Sequence, residues 1–165
     1  MAEASQLWKF RDESPTTAMA IGSQGHYGAV GGRRSGVVFL GQDGRPVWRS
    51  REISDVRDIS LAAGGRAVLV ASGDNTVHYL DRRGREMWHR SLNHAATAVG
   101  VSSRADLVVA GVLRGSLHAY DRTGKLLWEH RPSGADFRIN DVAISANGQY
   151  VAVGTDYAHI YLYSA

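Results

Sequence analysis

The chain has no cysteine, which excludes disulfides, thiolate zinc sites and thiol nucleophiles. It also lacks any apolar run approaching the roughly 18 residues that a membrane helix needs. Its start, Met1-Ala-Glu-Ala-Ser5, carries neither a basic region nor an apolar core, so no secretory signal is expected and a cytoplasmic location is the default. Lysine is scarce: Lys9 and Lys125 stand alone, and arginine supplies the other cations of a chain with net charge +3 and pI near 9.4. Those arginines are scattered, with no dense basic run and no alternation with aromatics, which argues against nucleic acid as a partner. Helical 3.6 periodicity of useful length is missing. So are Gly-x-Ser-x-Gly, a phosphate loop and His-Glu-x-x-His, the motifs that would announce hydrolytic or nucleotide chemistry.

What the chain does have is a period. Its four tryptophans fall at Trp8, Trp48, Trp88 and Trp128, spaced by 40 residues, and a fixed period of this size marks a repeat architecture. Gly44, Gly84 and Gly124 keep the same register, each four residues before a Trp in a polar stretch between two short apolar segments. That is the signature of a tight hairpin turn, in which glycine supplies a positive φ. Upstream, residues 18–21, 59–61 and 98–101 read as one strand of each unit, and residues 27–31, 67–71 and 107–111 as the next. Four short strands per 40 residues form the unit of a β-propeller blade. The expected repeats are 17–49, 57–89, 97–129 and 140–163, all within one domain of 165 residues. The fourth is displaced by 43 because the connection Arg131–Asn140 is three residues longer, and it has no Trp-bearing last strand. A strand over residues 5–10, containing Trp8, is expected to supply it, which would remove an exposed sheet edge.

These residues resemble the WD40-like and PQQ-like (quinoprotein-type) β-propeller repeats. The stretch Asp121-Arg-Thr-Gly124-Lys125-Leu-Leu-Trp128 is similar to the tryptophan-docking motif of quinoprotein propellers, with the Asp-to-Gly spacing one residue short. Ile144-Ser-Ala-Asn-Gly148 is similar to the first hairpin of WD40-like repeats. The resemblance covers the whole chain and implies the fold. It does not carry over a function. The quinoprotein enzymes imply a calcium-bound quinone and twice as many blades, and the Gly-His and Trp-Asp pairs of regular WD40 repeats are missing. No cofactor is therefore expected.

Propellers close with about four to eight blades. Two closures satisfy the end-to-end strand. One chain forms a four-bladed ring, or two chains form a twofold homodimer of eight blades, each completing the other's last blade. Inner strands rich in Ala, Gly and Val, such as Leu107-Val-Val-Ala-Gly111, suit the flatter packing of eight blades, which is the expectation here. A fragment of a longer propeller is a third solution.

Function in propellers concentrates on loops at one face and around the axis. The first residues of the inner strands are Thr17-Ala18, Arg57-Asp58, Thr97-Ala98 and Asn140-Asp141. Asp58 and Asp141, with Arg57, Arg138 and Asn140 nearby, form a candidate axial binding site. Alternatively, these charges pair with one another and solvate the channel. The loops carry Arg33, Arg34, Asp74, Arg114, Asp156 and Tyr157 as candidate recognition residues. The insertion Pro132–Arg138, which breaks the period and includes Phe137, is a further one. His78 and His118 share a strand position one blade apart, but two ligands without a third do not make a metal site, so they are read as packing residues. Asp81 and Asp121 occupy a turn position where Asp caps the backbone. No catalytic residue and no metal ligand is assigned. The expected function is a non-catalytic binding module for another protein. Alternatives are small-ligand or carbohydrate binding between blades, axial-channel chemistry by Asp58, Asp141 and Arg138, and a half-propeller whose main property is self-assembly.

Overall fold

The computed structural model describes residues 4–132 and 137–165. Its strands form four antiparallel meanders. The first blade contains β1 (Thr16–Ile21), β2 (Tyr27–Gly32), β3 (Gly36–Gly41) and β4 (Pro46–Ser50). The second contains β5 (Val56–Leu61), β6 (Ala67–Ser72), β7 (Thr76–Asp81) and β8 (Glu86–Ser91). The third contains β9 (Ala96–Val101), β10 (Leu107–Val112), β11 (Leu117–Asp121) and β12 (Leu126–His130). The fourth contains β13 (Ile139–Ile144), β14 (Tyr150–Thr155) and β15 (Ile160–Ser164), in sheet order β13-β14-β15. These are propeller blades, at the 40-residue spacing that the tryptophans announce.

The turns explain the register. In the β7–β8 turn the Asp81 carboxylate accepts the backbone N–H of Arg83 at 2.8 Å and of Arg85 at 3.0 Å. Asp121 treats Thr123 and Lys125 in the same way. Gly84 and Gly124 then turn the chain at φ of 79° and 80°, where a side chain would be strained. This compact turn sets up the contact that joins blades. Trp48 lies over Gly84 and donates its indole N–H to the Arg82 carbonyl at 3.0 Å; Trp88 lies over Gly124 and donates to the Arg122 carbonyl at 3.0 Å. A Cβ on Gly84 would stand 2.7 Å from the Trp48 ring, and one on Gly124 2.8 Å from the Trp88 ring. Glycine is thus required twice at each turn, by the backbone and by the ring above it.

Inside these contacts, apolar side chains on one face of each blade meet the next blade. Val37 and Phe39 of the first blade pack on Val56, Ile59, Val68 and Val70 of the second. Leu69, Ala71 and Val77 meet Val99, Val108 and Ala110, and Val109 and Leu117 meet Ile139, Val142, Val151 and Val153. Each such buried aliphatic contributes about 1.5–3 kcal/mol relative to exposure. Small residues are needed where the second strand of one blade approaches the inner strand of the next: a Cβ on Gly31 of β2 would meet Val56 Cγ1 at 2.6 Å, and one on Gly111 of β10 would meet Ile139 Cγ2 at 2.4 Å.

Among the described residues these three junctions hold the core, and the inner strands pack in series: β1 on β5, β5 on β9, and β9 on β13. β13 makes no comparable contact with β1. The closing strand expected over residues 5–10 is not formed within the chain: that segment has no strand pairing. It lies instead along the first blade, with Trp8 over Gly44, Arg49 bonded to Asp12 at 3.0 Å and Arg51 to Glu13 at 2.7 Å. The physical reason lies in the serial packing: the edge it would pair with belongs to β15 of the fourth blade, whose inner strand makes no contact with β1 comparable to the other junctions.

If the Trp–Gly contact holds the blades together, Gly84→Ala destabilises the protein by about 2–4 kcal/mol, the combined effect of a positive φ and an overpacked ring. Urea unfolding followed by tryptophan fluorescence measures it. An exposed control, Arg83→Ala, should stay within about 0.5 kcal/mol of the wild type.

Candidate functional site

Both groups of candidate residues lie at one end of the blades. The inner strands begin there, and the β2–β3, β6–β7, β10–β11 and β14–β15 turns lie there too.

The axial candidates do not form one cluster. Asp58 reaches across a blade junction: its carboxylate accepts the N–H of Val99 at 2.8 Å and of Ile59 at 2.8 Å. Burial pushes this carboxyl above the usual range, the two N–H bonds draw it back, and the neighbouring Asp141 adds to the rise. Arg57 turns away from Asp58 and pairs with Asp55 at 2.8 Å, and Arg33 approaches the same Asp55 at 3.7 Å. Asn140 and Asp141 are exposed on β13. The backbone N–H of Arg138 donates to Asp156 at 2.9 Å, and its side chain is exposed. Asp141 thus bears on Asp58 only by like-charge repulsion, while the Arg57 guanidinium is engaged by Asp55 and the backbone N–H of Arg138 by Asp156.

Two residues that the sequence did not single out for this site bind the inner strands together. Thr17 Oγ1 donates to the Val56 carbonyl at 2.6 Å, and Thr97 Oγ1 to the Ile139 carbonyl at 2.6 Å. Asp55, at φ 46°, is the third omission. The Thr positions had a signal, since Thr17 and Thr97 recur at 80 residues. Asp55 had none, because its counterparts in register are Pro15 and Ala95.

The loop candidates share this end. Asp74 is spent on its own turn, accepting the Thr76 N–H at 3.0 Å. Asp156 ties the β14–β15 turn to the start of β13 through Arg138. Arg33, Arg34, Arg114 and Tyr157 are exposed. Arg33 and Arg34 line a cleft of about 500 Å³ with Glu13, Ser14, Pro15, Thr17 and Ser35. The insertion is a correction in part. Phe137 is buried, packs against Gly115 and stacks on Tyr161, so it is a core residue; residues 133–136 lie outside the described residues.

His78 and His118 sit on separate blades. His78 Nδ1 is 2.6 Å from Glu86, which also holds His89 at 2.7 Å. Burial works to raise the Glu86 carboxyl, but the hydrogen bonds from the two imidazoles outweigh it and hold it low. His118 is buried, which pushes its imidazole below the ordinary value, with Glu129 offsetting part of the shift. Among the described residues no three His, Asp or Glu side chains converge as a metal site, and no helix is long and apolar enough to cross a membrane.

The family model described as outer membrane protein assembly factor BamB, a PQQ-type repeat, matches residues 2–165. No curated protein sequence matches. Among solved structures, the computationally designed Ika4 protein is similar at 18% identity and a TM-score of 0.79, covering 98% of this chain and 99% of its own. The computationally designed Ika8 protein is similar at 18% identity and a TM-score of 0.75 over 93% of this chain, which spans 46% of that protein. At this identity the likeness concerns the fold.

Two outcomes follow from the geometry. Thr97→Val removes the buried hydrogen bond to the Ile139 carbonyl at nearly constant shape, so it should cost about 0.5–1.5 kcal/mol in denaturant unfolding. The lowered imidazole of His118 means that the unfolded chain takes up its proton first as pH falls. Its contribution to stability is therefore complete above the ordinary histidine value of about 6.5 and is lost as pH falls through the folded value. His118→Phe should lose less melting temperature than the wild type between about pH 7 and pH 5.

Proposed function

The chain belongs, over residues 2–165, to the PQQ-type repeat family described as outer membrane protein assembly factor BamB. From that premise we propose that it is a non-catalytic binding and scaffold module that holds another protein at one end of its blades. The observation that carries this reading is the division of labour at that end. Asp55, Asp58, Asp156, Thr17 and Thr97 are used to tie blade to blade or turn to strand. Arg34 and Tyr157 are exposed on the frame so formed, and Arg33, which approaches Asp55, is exposed beside them. A rigid scaffold bearing guanidinium and phenol groups suits recognition of an acidic protein surface, because arginine and tyrosine give large contacts at low entropic cost. The family description names an assembly factor, a role that shape and charge complementarity can perform without covalent chemistry. A cytoplasmic setting belongs to the same proposal, and cell fractionation checks it.

The test is capture by immobilised full-length chain from a lysate of the source cells, in three forms: wild type, Arg33→Ala/Arg34→Ala/Tyr157→Ala, and Arg83→Ala/Arg122→Ala at the opposite end. A partner should be retained by the wild type and by the opposite-end variant, and reduced at least tenfold by the triple variant. Equal retention by all three forms contradicts the reading, as does retention by none.

A further inference from the structure

We propose that a second copy of this chain docks edge to edge on the first, so that two four-blade arcs close one ring. The inference goes beyond the binding role and depends on different residues, namely the two end faces of the array.

Those faces are the junction surfaces repeated elsewhere in the chain, left uncovered here. Met19 occupies the position held by Ile59, Val99 and Val142, all buried against a preceding blade. Met19 itself is 73% exposed, and Ile21 on the same face is 72% exposed. At the other end, Ile160 and Leu162 are 83% and 70% exposed. Their counterparts are Val37 and Phe39 in the first blade, Val77 and Tyr79 in the second, and Leu117 and Ala119 in the third, and every one of them is buried. One end thus presents the preceding-blade surface and the other the following-blade surface. The two are complementary, as each pair of neighbours within the chain demonstrates. Large aliphatic side chains exposed together at both ends are the mark of an interaction surface.

A polar key points the same way. The existing junctions alternate in kind. From the first blade to the second, and from the third to the fourth, Thr17 and Thr97 donate to carbonyls of the next inner strand. From the second to the third, Asp58 accepts the Val99 N–H. In register, Asp141 is the counterpart of Asp58, and Met19 is the counterpart of Val99. The fourth junction is therefore of the Asp kind: Asp141 accepts the backbone N–H of Met19 of the partner subunit. The three-stranded fourth sheet has an edge at β15. The partner subunit's residues 5–10 occupy that edge, because Trp8 already lies over Gly44 as Trp48 lies over Gly84, on the side where a preceding blade ends. Closure by one chain on itself is disfavoured by the serial packing, in which β13 makes no contact with β1 comparable to those between the other inner strands. Two chains related by a twofold axis bury both ends at once and leave no edge.

Sedimentation or light scattering of the full chain at about 50 µM decides the matter. The expected mass is twice the 17.9 kDa of the chain. A mass of one chain overturns the proposal, and a distribution of larger open assemblies overturns closure. Ile160→Glu and Met19→Glu, each at a position exposed in the single chain, should give the single-chain mass with an unchanged far-ultraviolet β spectrum. A variant that keeps the spectrum and still dimerises removes these faces from the interface. Asp141→Ala should weaken dimerisation at least tenfold, and an unchanged dimer removes the polar key. None of these variants touches Arg33, Arg34 or Tyr157, so a monomeric chain that still captures its partner would end this inference and leave the binding role intact.

Discussion

The contact on which the structure depends is one indole lying over one glycine of the next blade. It needs a turn tight enough to present bare backbone, which Asp81 and Asp121 provide by gathering two N–H groups each. It also needs a position where a Cβ would strike the ring, which makes glycine obligatory at Gly84 and Gly124. The indole N–H then bonds a carbonyl of that same turn. A single side chain thus joins the outer parts of the first and second blades, and another those of the second and third, while aliphatic packing fills the space inward of them and, with Phe137, makes the third junction. Because each blade is covered only by its neighbours, stability is expected to behave as a sum of junctions.

That dependence explains which parts of the architecture could be read from the residues. The Trp and Gly positions recur at fixed spacing because the contact recurs, so the number of blades within the chain, turn placement and strand order were legible. The fate of residues 5–10 was not. Trp8 is in register with the other tryptophans, and the period shows only that its segment belongs beside a blade preceding Gly44. Which chain contributes the rest of that blade depends on the curvature accumulated over three junctions, a property of packed side chains that no single position encodes.

The candidate site shows the same division. Asp58 and Asp141 stood out as carboxylates at the start of inner strands, and the charge of Asp141 adds to the rise that burial imposes on Asp58. What spacing could not reveal is that Asp58 reaches a backbone N–H of the next blade. Nor could it show that Asp55, at a left-handed φ, pairs with Arg57 and stands near Arg33. The Asp58 contact joins residues 41 apart through a backbone N–H, which carries no side-chain identity to read. Phe137 misled for the related reason that an aromatic in an insertion serves a loop or a core equally well, and here it fills the third junction.

The central claim is that every blade face in this protein is built to be covered by another blade. Hydrogen–deuterium exchange of the backbone amides of β15 and of residues 5–10, followed across a hundredfold dilution, tests it most directly. Slow exchange at high concentration, comparable to that of β4 and β8 and lost in both segments together on dilution, is the predicted result. Fast exchange at β15 at every concentration, with β4 and β8 protected, would contradict the account.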